Sequence, residues 1–151
     1  MLSLESVIWK ILSFISQNPS DEYEIAVGTD SMTKATETKI ATAITVHRKG
    51  KGAIFFYKVF HHDPIKDLHQ KLYTETQYSL DLANFLIDAF GKTVLRNESN
   101  IHFVVHLDVG ENGPTSKLIQ ELEGWVNAMG YEAVIKPNSY CSSSCADRIS
   151  K

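Results

Sequence analysis

Two cysteines are all that this chain of 151 residues holds. Cys141 and Cys145 stand four apart near its C-terminal end. That is too little for a disulfide framework, so a reducing cytoplasm is the expected compartment. At helical spacing the two thiols share a face, where small buried side chains are their ordinary role; structural zinc usually wants four nitrogen or sulfur ligands. A basic excess is also missing. With 15 Lys and Arg against 18 Asp and Glu, the formal net charge is -3. Nothing here supports the broad basic face that grips nucleic acid electrostatically, although a cluster of metal-binding acids lowers net charge by itself. Long apolar runs are absent too. The opening "MLSLESVIWKILSFISQ" carries Glu5 and Lys10 inside its pattern and has no basic lead, so neither a signal peptide nor a membrane span is expected. There is no internal repeat, low-complexity tract or linker. Residues 1–151 are therefore expected to form one domain, with 1–20 as a leading helix and loop.

What is present has the balance of a globular protein, 43% hydrophobic and 22% charged. Leu4, Val7, Ile8, Ile11, Leu12 and Ile15 repeat at helical spacing, with Ser3 placed to cap and Pro19 to stop the helix. Strands are predicted at about 23–29, 39–47 and 53–61, the last two joined by the hairpin signal "RKGKG". Residues 31–38 read as a polar turn. From 66 to 90 the period becomes helical, with Leu68, Leu72, Ser79, Leu82, Leu86 and Ala89 in one stripe and Gly91 as the stop. "IHFVVHLD" is a further buried strand. Pro114 suits the first turn of the next helix, whose apolar side holds Leu118, Ile119, Leu122 and Trp125. Gly130 ends it, "YEAVIKP" is a short strand, and "SSSCADRISK" opens a final helix. The fold class is α/β: a five-stranded mixed sheet with helices on both faces, its first three strands antiparallel and its later ones parallel.

Four carboxylates stand out. The apolar strand "EIAVGTD" runs into Asp30, and "IHFVVHLD" into Asp108. Glu75 lies on the apolar stripe of the long helix, where an unpaired charge is costly. Asp147 sits at the start of the last helix. Taken singly, Glu75 and Asp147 are more often a snorkelling side chain and a helix cap, and Asp30 and Asp108 more often open turns. Jointly they fall at matching ends of the architecture. Such an all-oxygen cluster suits Mg²⁺ or Mn²⁺.

At this point the chain resembles the ribonuclease H-like superfamily, which carries acids on the first strand, the long helix, the fourth strand and the last helix. More narrowly, "VGTDS", "HLDVGENGPTSKLI", "GWVNAMGYEAVIKPNSY" and "CADRISK" resemble the bacterial YkuK-type family within it, over essentially all of 24–151. Met32 stands where glutamine is expected after "GTDS". The resemblance implies two-metal phosphodiester cleavage by a hydrolase using two Mg²⁺ or Mn²⁺ ions. Asp30 would bridge both ions, with Glu75 and Asp108 on one and Asp147 on the other; Gly28 would leave room for close approach. The implied substrate is RNA, DNA or a hybrid, with no membrane partner and the oligomeric state left open. The alternative, from a different class, is a non-catalytic ribonuclease H-like binding or scaffold module. An actin-like ATPase fails on length, because it needs two such domains.

Other motifs carry less. "GENGPTSK" lacks the G-K-[ST] ending of a phosphate-binding loop, although backbone amides near Thr115 and Ser116 could face an anion. His102 and His106 share a strand face with Asp108, where His106 reads as a core histidine ahead of a supporting group for a metal ligand. Trp9 and Trp125 read as packing residues.

Overall fold

The computed structural model describes residues 3–91, 100–110, 112–113, 116–136 and 138–139. Helix α1 (Leu4–Gln17) starts where Ser3 accepts a hydrogen bond from the Ser6 amide at 3.2 Å. It buries Val7 and Ile11. Strands β1 (Tyr23–Thr33), β2 (Thr38–Arg48) and β3 (Ala53–His62) form an antiparallel meander. The β2–β3 turn uses Gly50 and Gly52, both at positive φ (76° and 99°), where a side chain would be strained. Helix α2 (Leu68–Phe90) is capped by Asp67 and stopped by Gly91 at φ 80°. Strand β4 (Ile101–His106) follows, then a short 3₁₀ turn (Ser116–Leu118), helix α3 (Ile119–Ala128) and strand β5 (Glu132–Val134).

The sheet order is β3-β2-β1-β4-β5. β1 and β4 are adjacent and parallel, and β5 continues in parallel beside β4. Among the described residues, α1, α2 and α3 all pack on one face. Val7, Ile11, Leu72, Leu80, Leu86, Leu122 and Val126 meet Tyr23, Ile25, Val27, Ile44, Val46 and Val105 there. The other face holds a small cluster of Ala26, Ala43 and Val104. The final helix expected from the sequence falls on residues outside those described, as do Cys141, Cys145, Asp147 and, within "GENGPTSK", Glu111, Pro114 and Thr115.

Tyr23 ties the leading helix to the sheet. Its ring is fully buried and its hydroxyl donates to the Asn18 carbonyl at 2.7 Å. Arg48 donates in turn to that hydroxyl (3.1 Å) and to the Phe14 carbonyl (2.6 Å), with its guanidinium 4.0 Å above the Phe14 ring. Two expectations need correcting. Trp9 is 72% exposed on the outer side of α1 and packs little, whereas Trp125 does pack, stacked 5.3 Å from Tyr73. The buried stripe of α2 is also rotated from the expected one: Leu68 is 39% exposed and Ala89 is exposed, while Thr76, Leu80 and Ala83 face inward beside the expected Leu72, Glu75, Ser79 and Leu86.

Candidate metal centre

The first strand does not end on Asp30. It runs to Thr33, because β2 pairs it as far as Thr33↔Thr38. The parallel partner is shorter. β4 pairs β1 only from Tyr23↔Ile101 to Gly28↔His106. Asp30 lies two residues beyond that last pair on β1, and Asp108 two residues beyond it on the chain leaving β4. No strand separates them. The two acids therefore reach the same end of the sheet in matching register, at the carboxyl ends of parallel strands, where α/β folds place ligands.

Glu75 completes the group from α2. Ligand oxygens of Asp30, Glu75 and Asp108 all lie within 4.8 Å of one another. Asp30 and Glu75 are buried, and Asp108 is partly so. Two of these carboxylates have close donors. The Ser31 amide donates to Asp30 Oδ1 at 2.9 Å, and the Ser31 hydroxyl to Glu75 Oε2 at 2.6 Å. Beneath them Thr29 bonds to both Thr42 (2.9 Å) and Ser79 (2.7 Å), fixing β1 to β2 and α2. A cavity of about 10 Å³, room for roughly one water, lies among Glu75, Ser79, His106 and Asp108.

Two lysines enter this acidic group. Lys71, one helical turn before Glu75, places Nζ 2.7 Å from Glu75 Oε2 and 3.9 Å from Asp30 Oδ1. Lys136 places Nζ 2.7 Å from Asp108 Oδ1. The ammonium compensates the charge of this buried oxygen. Lys136 gets there because the β4–β5 ladder continues past both strands: Leu107 donates to the Val134 carbonyl and Lys136 to the Val109 carbonyl, each at 2.8 Å. Gly110 makes the close approach possible, since a Cβ there would lie 3.2 Å from that of Lys136.

Burial pushes the Glu75 carboxyl above its ordinary value. Lys71 and the Ser31 hydroxyl pull it back only in part, and Asp108 adds to the rise. Burial alone would lower Lys71, but the charge and hydrogen bond of Glu75, with Asp30 and Asp108 behind them, outweigh it and raise the ammonium's pKa. His106 is 2% exposed and pairs at the end of β4. Burial lowers its pKa, with Glu24 opposing, which favours the neutral ring.

The chain matches the family model "Ribonuclease H-like" over residues 6–151. It belongs to the ribonuclease H-like family. A relative from Bacillus subtilis (strain 168), named "Uncharacterized protein YkuK", is 35% identical over 158 residues, covering 99% of this chain and 92% of the relative. Both findings agree with the resemblance read from "VGTDS" and "CADRISK". Among the described residues of this ribonuclease H-like chain, no helix is long and apolar enough to cross a membrane.

The three acids fit a divalent ion. Their donor set is all oxygen, the preference of Mg²⁺ and Mn²⁺. Adjacent ligands on an octahedral Mg²⁺ stand about 3 Å apart and opposite ones about 4.2 Å, so oxygens within 4.8 Å would close by at most about 2 Å around one ion. Asp108 Oδ1 already attracts a cation, the Lys136 ammonium at 2.7 Å. Sequence reasoning missed Ser31, Lys71 and Lys136. Lys71 was open to discovery, since i,i+4 neighbours on a helix meet.

Proposed function

We propose that the protein is a metal-dependent nuclease, hydrolysing phosphodiester bonds of RNA, DNA or a hybrid. The convergence of Asp30, Glu75 and Asp108 within 4.8 Å, in a ribonuclease H-like chain, carries this reading. Asp147 is assigned as the fourth acid on the family resemblance. Bound divalent ions would supply Lewis-acid polarisation of the phosphate and a more acidic water. The chain's own groups do the positioning. β1 holds Asp30 rigidly between its neighbours, Ser31 orients Glu75, and the half-exposed Lys136 offers a positive charge beside Asp108 to an incoming phosphate.

One observation favours the second reading, a non-catalytic binding or scaffold module. Lys71 already neutralises Glu75 at 2.7 Å, as a purely structural ion pair would. Wild type and Asp30→Asn, purified in parallel, would separate the two on RNA, hybrid and single-stranded DNA with Mg²⁺ and with Mn²⁺. Cleavage by wild type that vanishes in a folded Asp30→Asn is expected. Equal trace activity in both would be contamination and would leave the scaffold reading standing.

A further inference from the structure

We propose that Lys71 competes with the divalent ion: its ammonium holds Glu75 and Asp30 while metal is absent and leaves them when an ion binds. This rests on the metal-site reading above and adds a control to it. Lys71 Nζ lies between two of the three acids, 2.7 Å from Glu75 Oε2 and 3.9 Å from Asp30 Oδ1. Glu75 Oε2 also receives the Ser31 hydroxyl at 2.6 Å, so that oxygen has two donors before any ion arrives. A divalent ion held by the same carboxylates would face the ammonium across a few ångströms of poorly solvated space, where like charges repel strongly.

The lysine also has somewhere to go. Its side chain keeps 26% of its surface exposed, so rotation about its flexible stem carries the ammonium to water without moving α2. Glu75, 4% exposed, has no such freedom. The charges agree with this assignment. Three carboxylates face two ammoniums, Lys71 and Lys136, so the described groups are nearly neutral without metal. The competitor keeps a buried acidic cluster folded when ions are scarce, at the expense of metal affinity.

The test is Mn²⁺ titration of the full chain, wild type beside Lys71→Met, following free Mn²⁺ by electron paramagnetic resonance. Lys71→Met should bind about tenfold more tightly or better. A parallel measurement uses wild type only, in case the variant does not fold. Acylation of Lys71 by an amine reagent, read by mass spectrometry, should rise severalfold on saturation with Mg²⁺. Lys49, half exposed at the far end of β2, should not change. Equal or weaker Mn²⁺ binding by folded Lys71→Met overturns the proposal, as does unchanged Lys71 labelling at saturating Mg²⁺. If neither protein binds Mn²⁺, the metal-site reading fails and the competition fails with it.

Discussion

Replacing Glu75 by glutamine should change how stability depends on pH more than it changes stability at any one pH. Glu75 is 4% exposed, and burial raises its carboxyl above the ordinary value of 4.5. The folded chain therefore holds this proton more tightly than the unfolded chain does. Its contribution is fully present below the unfolded value and is lost as pH rises through the folded one. Lys71 does not blur the window, because its shift is upward from 10.5 and it stays charged there. Glutamine keeps a carbonyl oxygen for the Ser31 hydroxyl but carries no titrating proton. Removing the charge weakens hydrogen bonds worth about 1.5–3 kcal/mol at a charged group. It also removes a buried anion whose desolvation costs several kcal/mol. These offset, so the level decides little, and the slope decides the matter. Urea unfolding in EDTA, from about pH 5 to 8, should show wild type losing stability relative to Glu75→Gln as pH rises. The limiting slope for one proton is about 1.4 kcal/mol per pH unit. A difference that stays flat across the window would refute the raised carboxyl and the burial argument behind it.

Saturating Mn²⁺ should stabilise the fold. An ion at about one hundred times its dissociation constant contributes about 2.7 kcal/mol, which for a chain of this size moves Tm by roughly 5–11 °C in calorimetry. Asp30→Asn should abolish that shift. Tyr23→Phe removes the hydroxyl that joins Asn18 to Arg48 and should cost about 1–2 kcal/mol in urea unfolding, with Mn²⁺ binding unchanged. Asp147→Asn should reduce nuclease activity more at low metal than at high metal if, as proposed, Asp147 holds a single ion; an equal loss at both would remove it from that role.

The parts of this molecule that were legible in the sequence are those set by local pattern. Ser3 and Gly91 bound their helices as capping chemistry requires, and the alternation of β-rich runs with helices marked out the antiparallel and parallel halves of the sheet. The extra length of β1 was not legible. Residues 31–38 are polar, which reads as a turn, yet Thr33 and Thr38 are good strand residues. They pair with their hydroxyls 2.9 Å apart, confining the turn to four residues closed by a Lys34–Glu37 hydrogen bond of 2.7 Å. The inward face of α2 was misplaced for a related reason. Thr76 is a buried polar group whose hydroxyl donates to the Leu72 carbonyl, and hydrophobic periodicity cannot see it. Asp30, Glu75 and Asp108 were found because each interrupts an apolar pattern. Lys136 was invisible because its approach to Asp108 depends on a parallel register set about thirty residues earlier in the chain, and on Gly110 letting it close.

The central claim is that Asp30, Glu75 and Asp108 share a divalent cation. A crystal soaked in Mn²⁺ and measured for anomalous scattering addresses it directly. The account predicts a peak with carboxylate oxygens of all three residues at about 2.1–2.3 Å and with Lys71 Nζ withdrawn from Glu75. A site without a peak at millimolar Mn²⁺, with Lys71 still bound to Glu75, would contradict it.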